Sequence, residues 1–312
     1  MNEMKSCSIQ KVAIPGSLLG MFTEAEAVDA EGSQLRSQME NQGYVFIRNA
    51  LSRDQVMRAR TEVFGQLKRM GEITDPVLDG IATGTSRRRE LSGNKLGEFW
   101  KEVSEGPHLR DVTHGDELHQ WASLLLNEPA RAHDLLYLRP LVRGKSTQLH
   151  YDHAFFAGYA QPIYTAWVPL GDIPMSDGPI ALIEKSNQFL DMINPLLGHD
   201  YDKSRANEMV QHAAYSGAAD EHPVDLARRR QVRILTTDFR AGDLLFFSML
   251  LLHGSLDNQS TVGRTRLSCD VRYQPAKETT EDKRYFGRNP SGSKGGGYGD
   301  MRGAQPLSES GE

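Results

Sequence analysis

The chain has 312 residues, of which 38% are hydrophobic and 25% charged, with a net charge of −5 and a pI near 6.1. This suits one domain with a sizeable core, and the acidic balance excludes an electrostatic case for nucleic acid or an anionic membrane surface. Two cysteines, Cys7 and Cys269, make no disulfide framework and no apolar run spans a bilayer, so the expectation is a cytoplasmic protein that handles a small molecule.

Residues 1 to about 33 carry no firm pattern, and Ala25 to Glu40 fits a helix. Gly43-Tyr44-Val45-Phe46-Ile47 is a short β-rich run after a turn. Ser52 with Gln55 three residues later reads as a capping box, opening a helix to about Met70 with Val56, Ala59, Val63, Leu67 and Met70 on one face. Ile73 to Lys95 is loop-like, and its Arg87-Arg88-Arg89 run, like Arg228-Arg229-Arg230 further on, reads as a solvated face. Leu96 to Val103 and His108 to Leu126 are helical, the second broken at Gly115.

After Pro129 the pattern changes to strands: Asp134 to Val142, Thr147 to Asp152, Tyr164 to Leu170 and Pro179 to Ile183, separated by Gly and Asp turns. Residues 185 to about 230 are polar and interrupted, an insertion of helix or loop carrying His199, His212 and His222. Strands resume at Gln231 to Leu235 and at Asp243 to Phe247, the latter running on toward His253. The last, Arg264 to Tyr273, alternates Thr265, Leu267, Cys269 and Val271 with Arg266, Ser268, Asp270 and Arg272, so its two faces meet different surroundings. The Gly- and Ser-rich end from Asn289 reads as mobile, with Tyr298 and Leu307 able to dock. The expected organisation is a single domain over 1–279, helical to about 130 and a barrel core over about 131–279 with an insertion at about 185–230, then a tail over 280–312. The fold class is mainly β with flanking helices.

Chemistry concentrates at Gln148-Leu149-His150-Tyr151-Asp152. On a strand, His150 and Asp152 share one face while Tyr151 turns away. An imidazole and a carboxylate side by side supply two thirds of the 2-His-1-carboxylate set that holds non-haem iron with open positions opposite. His253, in His253-Gly254-Ser255, is the best third member. A second pair, His114 and Asp116, sits in a helical context where residues two apart diverge, and is the poorer candidate. Arg264 follows His253 by eleven residues, and its planar fork suits a carboxylate.

These residues resemble the phytanoyl-CoA dioxygenase-like family of Fe(II)/2-oxoglutarate-dependent oxygenases, over roughly Gly43 to Tyr273. The resemblance rests on Gly43-Tyr44-Val45, His150-Tyr151-Asp152, Trp167, Asp177-Gly178-Pro179-Ile180, Ala241-Gly242-Asp243, and His253-Gly254-Ser255 with Asn258, Ser260 and Arg264. Lys185-Ser186-Asn187 departs from the Gly-Ser-His segment frequent in the family. The resemblance implies a double-stranded β-helix (jelly-roll, cupin-like) core with Fe(II) on His150, Asp152 and His253. It implies 2-oxoglutarate and O2 as co-substrates, with Arg264 pairing the distal carboxylate and Ser255 assisting. Gln148 and Thr165 are further co-substrate contacts, and Arg139, Trp167 and Arg272 are substrate candidates. Halogenating relatives lack the acidic ligand, so Asp152 favours hydroxylation or a related oxidation of a C–H bond, in secondary metabolism among other settings. A metal-binding lyase or isomerase of the same fold, or a non-catalytic binding protein, is the alternative.

Overall fold

The computed structural model describes residues 7–25, 32–156, 162–198 and 221–309. Its strands are β1 (Ser8–Ile9), β2 (Val12–Ala13), β3 (Leu19–Met21), β4 (Tyr44–Ile47), β5 (Ala130–Ala132), β6 (Tyr137–Leu141), β7 (Tyr164–Pro169), β8 (Ile180–Ile183), β9 (Ile234–Thr236), β10 (Leu244–Ser248), β11 (His253–Ser255) and β12 (Arg266–Pro275). The helices are α1 (Ser33–Gln42), α2 (Arg53–Arg69), α3 (Arg88–Ser92), α4 (Leu96–Ser104), α5 (Pro107–Thr113), α6 (Asp116–Leu126), α7 (His153–Phe156), α8 (Leu190–Leu197) and α9 (Pro223–Arg230). Six strands form the larger sheet, in the order β4-β10-β7-β12-β5 with β6 also beside β12. Four form the smaller, β11-β8-β9-β3. Every pairing in the two sheets is antiparallel except β3 with β9.

Strand alternation sets the layers. On β10, Leu245 and Phe247 face inward with Tyr44, Phe46 and Trp167 of the same sheet and meet Ile180, Leu182 and Leu235 of the smaller one. Leu244 and Phe246 point the other way, into a core shared with α1, α2, α4, α5 and α6. Each Leu, Val or Phe buried in such a layer contributes about 1.5–3 kcal/mol. A third apolar cluster covers the outer face of the smaller sheet, where Ala181, Ile183 and Ile234 meet Ile193 and Leu196 of α8 and Leu226 of α9.

Several expectations hold. Ser52 caps α2, its hydroxyl accepting from Gln55 N at 3.4 Å, and Val56, Ala59, Val63 and Leu67 are buried along one face. The helical stretch after Pro107 breaks at Gly115. Both cysteines are free and buried, and no described helix is long and apolar enough to cross a membrane.

Others need correction. The first helix starts at Ser33, not Ala25. Residues 7–25, which carried no pattern, supply a hairpin and β3, pieces too short to show periodicity. The run expected to continue from β10 to His253 is broken by a turn in which Leu251 N donates to Ser248 O at 3.1 Å, so β10 and β11 belong to different sheets. Thr147 to Asp152 is extended but pairs only at His150, then bends into the short helix α7. In the arginine run, Arg87 and Arg89 are exposed but Arg88 is fully buried and paired with Glu72. The C-terminal residues described do not hang free: Tyr298, Ala304 and Leu307 are buried in the helical core. His199 and His212 of the expected insertion lie outside the described residues; its two ends form α8 and α9.

Candidate metal centre

The segment bearing His150 lies against β11 through a reciprocal pair of backbone bonds: His150 N donates to His253 O at 2.8 Å, and His253 N to His150 O at 3.0 Å. Gly254 makes this approach possible, because a Cβ there would stand 2.7 Å from Thr147 O. The alternation expected for the segment holds through Asp152. Leu149 and Tyr151 enter the outer apolar cluster, while His150 and Asp152 turn inward.

His150, Asp152 and His253 are all buried, and one ligand atom from each lies within 4.8 Å of the others. His150 Nε2 is 3.6 Å and His253 Nε2 3.8 Å from the same carboxylate oxygen, Asp152 Oδ1. The other ring nitrogens are held by backbone: His150 Nδ1 is 2.8 Å from Gln148 O, and His253 Nδ1 is 3.0 Å from Leu251 O. A carbonyl oxygen only accepts, so each Nδ1 carries the proton and each neutral ring presents its Nε2 lone pair to the centre. Burial, then the neighbouring His150, pushes His253 down to about 3, which keeps it in that neutral form.

Asp152 divides its work between its oxygens. Oδ2 accepts from Thr165 Oγ1 at 2.8 Å and from Arg272 Nη2 at 2.6 Å, leaving Oδ1 facing the imidazoles. Burial opposes ionisation, but Arg272, then His253 and His150, outweigh it and hold the carboxyl well below its usual range. The Arg272 guanidinium also lies over the rings of Tyr137, at 4.3 Å, and Phe156, at 4.9 Å. Two neutral Nε2 atoms and one anionic oxygen, each oriented by a partner behind it, fit a divalent metal of the 2-His-1-carboxylate type.

A cavity of about 430 Å³ opens on His150 and Asp152, within the usual range for a small-molecule site. Tyr137 and Arg139 of β6, Thr147 and Gln148, Phe155 and Phe156, and Arg266 and Arg272 of β12 line it. Another wall is formed by the C-terminal strap, with Gly292 and Gly303 among its lining residues. Gln148 and Arg139 lie on the lining, and Arg139 Nε donates to Asp270 Oδ2 at 2.5 Å. Thr165 and Arg272 act on Asp152. Trp167 instead packs between the sheets against Phe239, ring centres 4.6 Å apart, and is not part of the lining. Ser255 is satisfied by backbone, accepting from Thr147 N and donating to Leu256 O. Arg264 pairs with Asp177 Oδ2 at 2.9 Å and is absent from the lining.

His114 and Asp116 do not form a second site: His114 caps α5, with Nε2 beside Arg110 and His133 O, and Asp116 starts α6. Sequence reasoning missed Arg266, Phe155, Phe156 and the strap. Arg266 was visible as a member of the polar face of β12, the face that already offered Arg272.

The phytanoyl-CoA dioxygenase family matches residues 39–266, most of the chain. The chain belongs to this family. Among its relatives is the peroxisomal phytanoyl-CoA dioxygenase of Rattus norvegicus, 26% identical over 264 residues, which span 78% of this chain and 70% of that protein. Two solved structures are similar in fold. The non-heme alpha ketoglutarate dependent carbocyclase SnoK from nogalamycin biosynthesis has a TM-score of 0.50 at 20% identity, over 83% of this chain and 89% of that one. EctD from S. alaskensis in its apo form has a TM-score of 0.50 at 16% identity, over 86% of each chain.

Proposed function

We propose that the protein is an Fe(II)/2-oxoglutarate-dependent oxygenase with a double-stranded β-helix core, oxidising a C–H bond of a small organic molecule, with hydroxylation as the outcome. The observation that carries this reading is the convergence of His150 Nε2, His253 Nε2 and Asp152 Oδ1 beside a cavity, each held by a partner on its far side. Family membership supports it. His150, Asp152 and His253 would hold the iron, which together with 2-oxoglutarate would supply the activation of O2.

The chain's own residues do the positioning. Arg272 and Thr165 fix Asp152 so that one oxygen is available and the other is not. Gln148 O and Leu251 O fix the imidazole tautomers, so no proton has to leave either ring when metal binds. Ser255 ties β11 to Thr147 and keeps His253 in register with His150. Phe155 and Phe156 and the C-terminal strap shield the centre from bulk water. Arg139 and Gln148, on the cavity wall, would meet the substrate or co-substrate.

The test is an anaerobic titration of 2-oxoglutarate into Fe(II)-loaded protein, following the visible metal-to-ligand charge-transfer band, with His253→Ala as control. A band in the wild type that is lost in the variant is expected. A folded, iron-loaded wild type without the band would instead favour a metalloenzyme of the same fold that needs no keto acid.

A further inference from the structure

The cavity carries more positive than negative charge, in a chain whose net charge is −5. Arg139, Arg266, Arg272, Lys294 and Arg302 line it, and the carboxylates among the lining residues are Asp152 and Asp300. Pairs within the wall account for part of the surplus: Arg272 is bound to Asp152, and Arg139 to Asp270, which lies outside the lining. The metal and co-substrate of the oxygenase reading do not account for the rest, because a divalent cation and a dianion cancel. Arg266, Lys294 and Arg302 are then set against Asp300 alone, and its Oδ2 already accepts from Gly296 N at 2.7 Å. A surplus of one sign in a concave site with apolar walls attracts a ligand of the opposite sign.

Among these cations Lys294 is the one best placed to take a ligand from solvent. It is exposed, it lines the cavity, and no carboxylate among the described residues pairs with it. The loop that carries it is closed at its base. Ser291 N donates to Lys283 O at 3.0 Å and Gly292 N to Arg284 O at 2.8 Å, and beyond the lysine Gly297 N returns to Ser291 O at 2.6 Å. Arg302, further along the strap, is tied across the cavity edge by a bond from its Nη1 to Ser146 O at 3.1 Å. A fixed loop thus brings an ammonium to a cavity whose other walls include Leu138, Leu141, Phe155 and Phe156.

We propose that the substrate is an organic acid, with an apolar body and an ionised head group, carboxylate or phosphate, that pairs with Lys294 of the strap. This rests on the oxygenase reading above and adds to it the class of substrate. The apolar body lies against the leucine and phenylalanine side chains of the cavity, where burial of its surface supplies affinity. The head group meets the ammonium in a charge-assisted pair, within the field of Arg266 and Arg302. Lys294 is then a specificity-determining residue: it selects acids over their neutral counterparts and takes no part in holding the metal.

The experiment compares hexanoate and hexyl phosphate with the neutral hexanamide. Each is titrated by calorimetry, without oxygen, into protein loaded with Fe(II) and saturated with 2-oxoglutarate, so that the co-substrate's own site is filled and no turnover occurs. The wild type is expected to bind the anions about 10-fold more tightly than the amide, the scale of one charge-assisted hydrogen bond. The tighter of the two anions names the head group. High salt should shrink the preference. Lys294→Gln should lower it to about 3-fold, the field of the remaining arginines, without changing the Kd of the amide, and Lys294→Arg should keep it. Lys277→Gln, which removes a lysine paired with Glu128 outside the lining, should also keep the wild-type preference. Equal affinities for acid and amide in the wild type, or binding of none of the three probes, overturn the proposal. A preference that survives Lys294→Gln in full overturns the assignment to that residue. The charge-transfer band of the same sample, read before each titration, keeps the two readings apart: its absence refutes the oxygenase reading, whereas a band followed by equal affinities refutes the acid site alone.

Discussion

Thr165 and Arg272 both approach the same oxygen of Asp152, and Thr165 can be altered without stranding a charge. Thr165→Val keeps the shape and removes one hydrogen bond, so Fe(II) affinity is expected to fall by about 10-fold, as for other residues that support a metal ligand. A competitive metal titration reads this, and wild-type affinity in the variant would mean that Asp152 needs no support from β7. Two histidines away from the centre contribute to acid lability. Burial, then Arg110, pushes His114 down to about 4, and burial pushes His133, packed among Phe156, Tyr285 and Phe286, down to about 3. Both folded values lie below the unfolded one of about 6.5. Between those limits the unfolded chain binds protons that the folded chain refuses, so stability is full above pH 6.5 and falls as the pH drops. The slope is at most about 1.4 kcal/mol per pH unit for each fully titrating histidine. Urea unfolding at pH 7 and pH 5 should reveal the loss, and His133→Gln should make it smaller; an unchanged pH dependence would remove His133 from the account.

Among the elements, β12 explains how one strand serves both core and site. Leu267, Cys269, Val271 and Tyr273 pack against the helices, while Arg266, Ser268, Asp270, Arg272 and Gln274 are equally buried on the other face. An alternating strand usually turns its polar face to water; here Phe156 lies over Arg272 on that face, and Arg266 and Arg272 line the cavity together with the strap. The join between β11 and the His150 segment is the second decisive element. Gly254→Ala would set a Cβ 2.7 Å from Thr147 O and force the two backbones apart. Because each carries an imidazole, the expected result is a loss of metal affinity far larger than the loss of melting temperature. Metal titration and thermal unfolding, run together, measure both, and a variant that binds metal as tightly as wild type would show that the spacing is not critical.

At the scale of the whole molecule, the C-terminal strap joins the helical layer to the cavity. The buried Arg88 guanidinium pairs with Glu72 and donates to the carbonyls of Gly303, Ala304 and Gln305. Gly303 sits so close to Trp100 that a Cβ would fall 2.0 Å from its ring. Gly303→Val should therefore undock the strap, cost about 1–3 kcal/mol as overpacking does, and make residues 276–300 susceptible to protease. It should leave metal binding intact, since the three donor residues come from other segments. Thermal unfolding with limited proteolysis tests this, and a variant as resistant as wild type would mean that the strap is held elsewhere.

Periodicity, caps and local ligand spacing were legible in the residues alone. The α2 face, the inward pair His150 and Asp152, and the different environments of the two β12 faces all depend on neighbours within a few positions, which a sequence displays directly. His253 was reachable through the His253-Gly254-Ser255 segment, with Arg264 eleven residues on, that carries the family resemblance. What the sequence could not decide was where chains distant in order come together. That Arg264 meets Asp177 while Arg266 faces the cavity, that Trp167 fills the space between sheets, and that Arg88 within a run of charges is buried under the strap all depend on contacts across tens to hundreds of positions. Two arginines two residues apart have the same chemistry on paper. Only the tertiary structure pairs Arg264 with the Asp177 carboxylate and sets Arg266 on the cavity wall, because burial and counter-ions are properties of the packed surroundings and not of the residue.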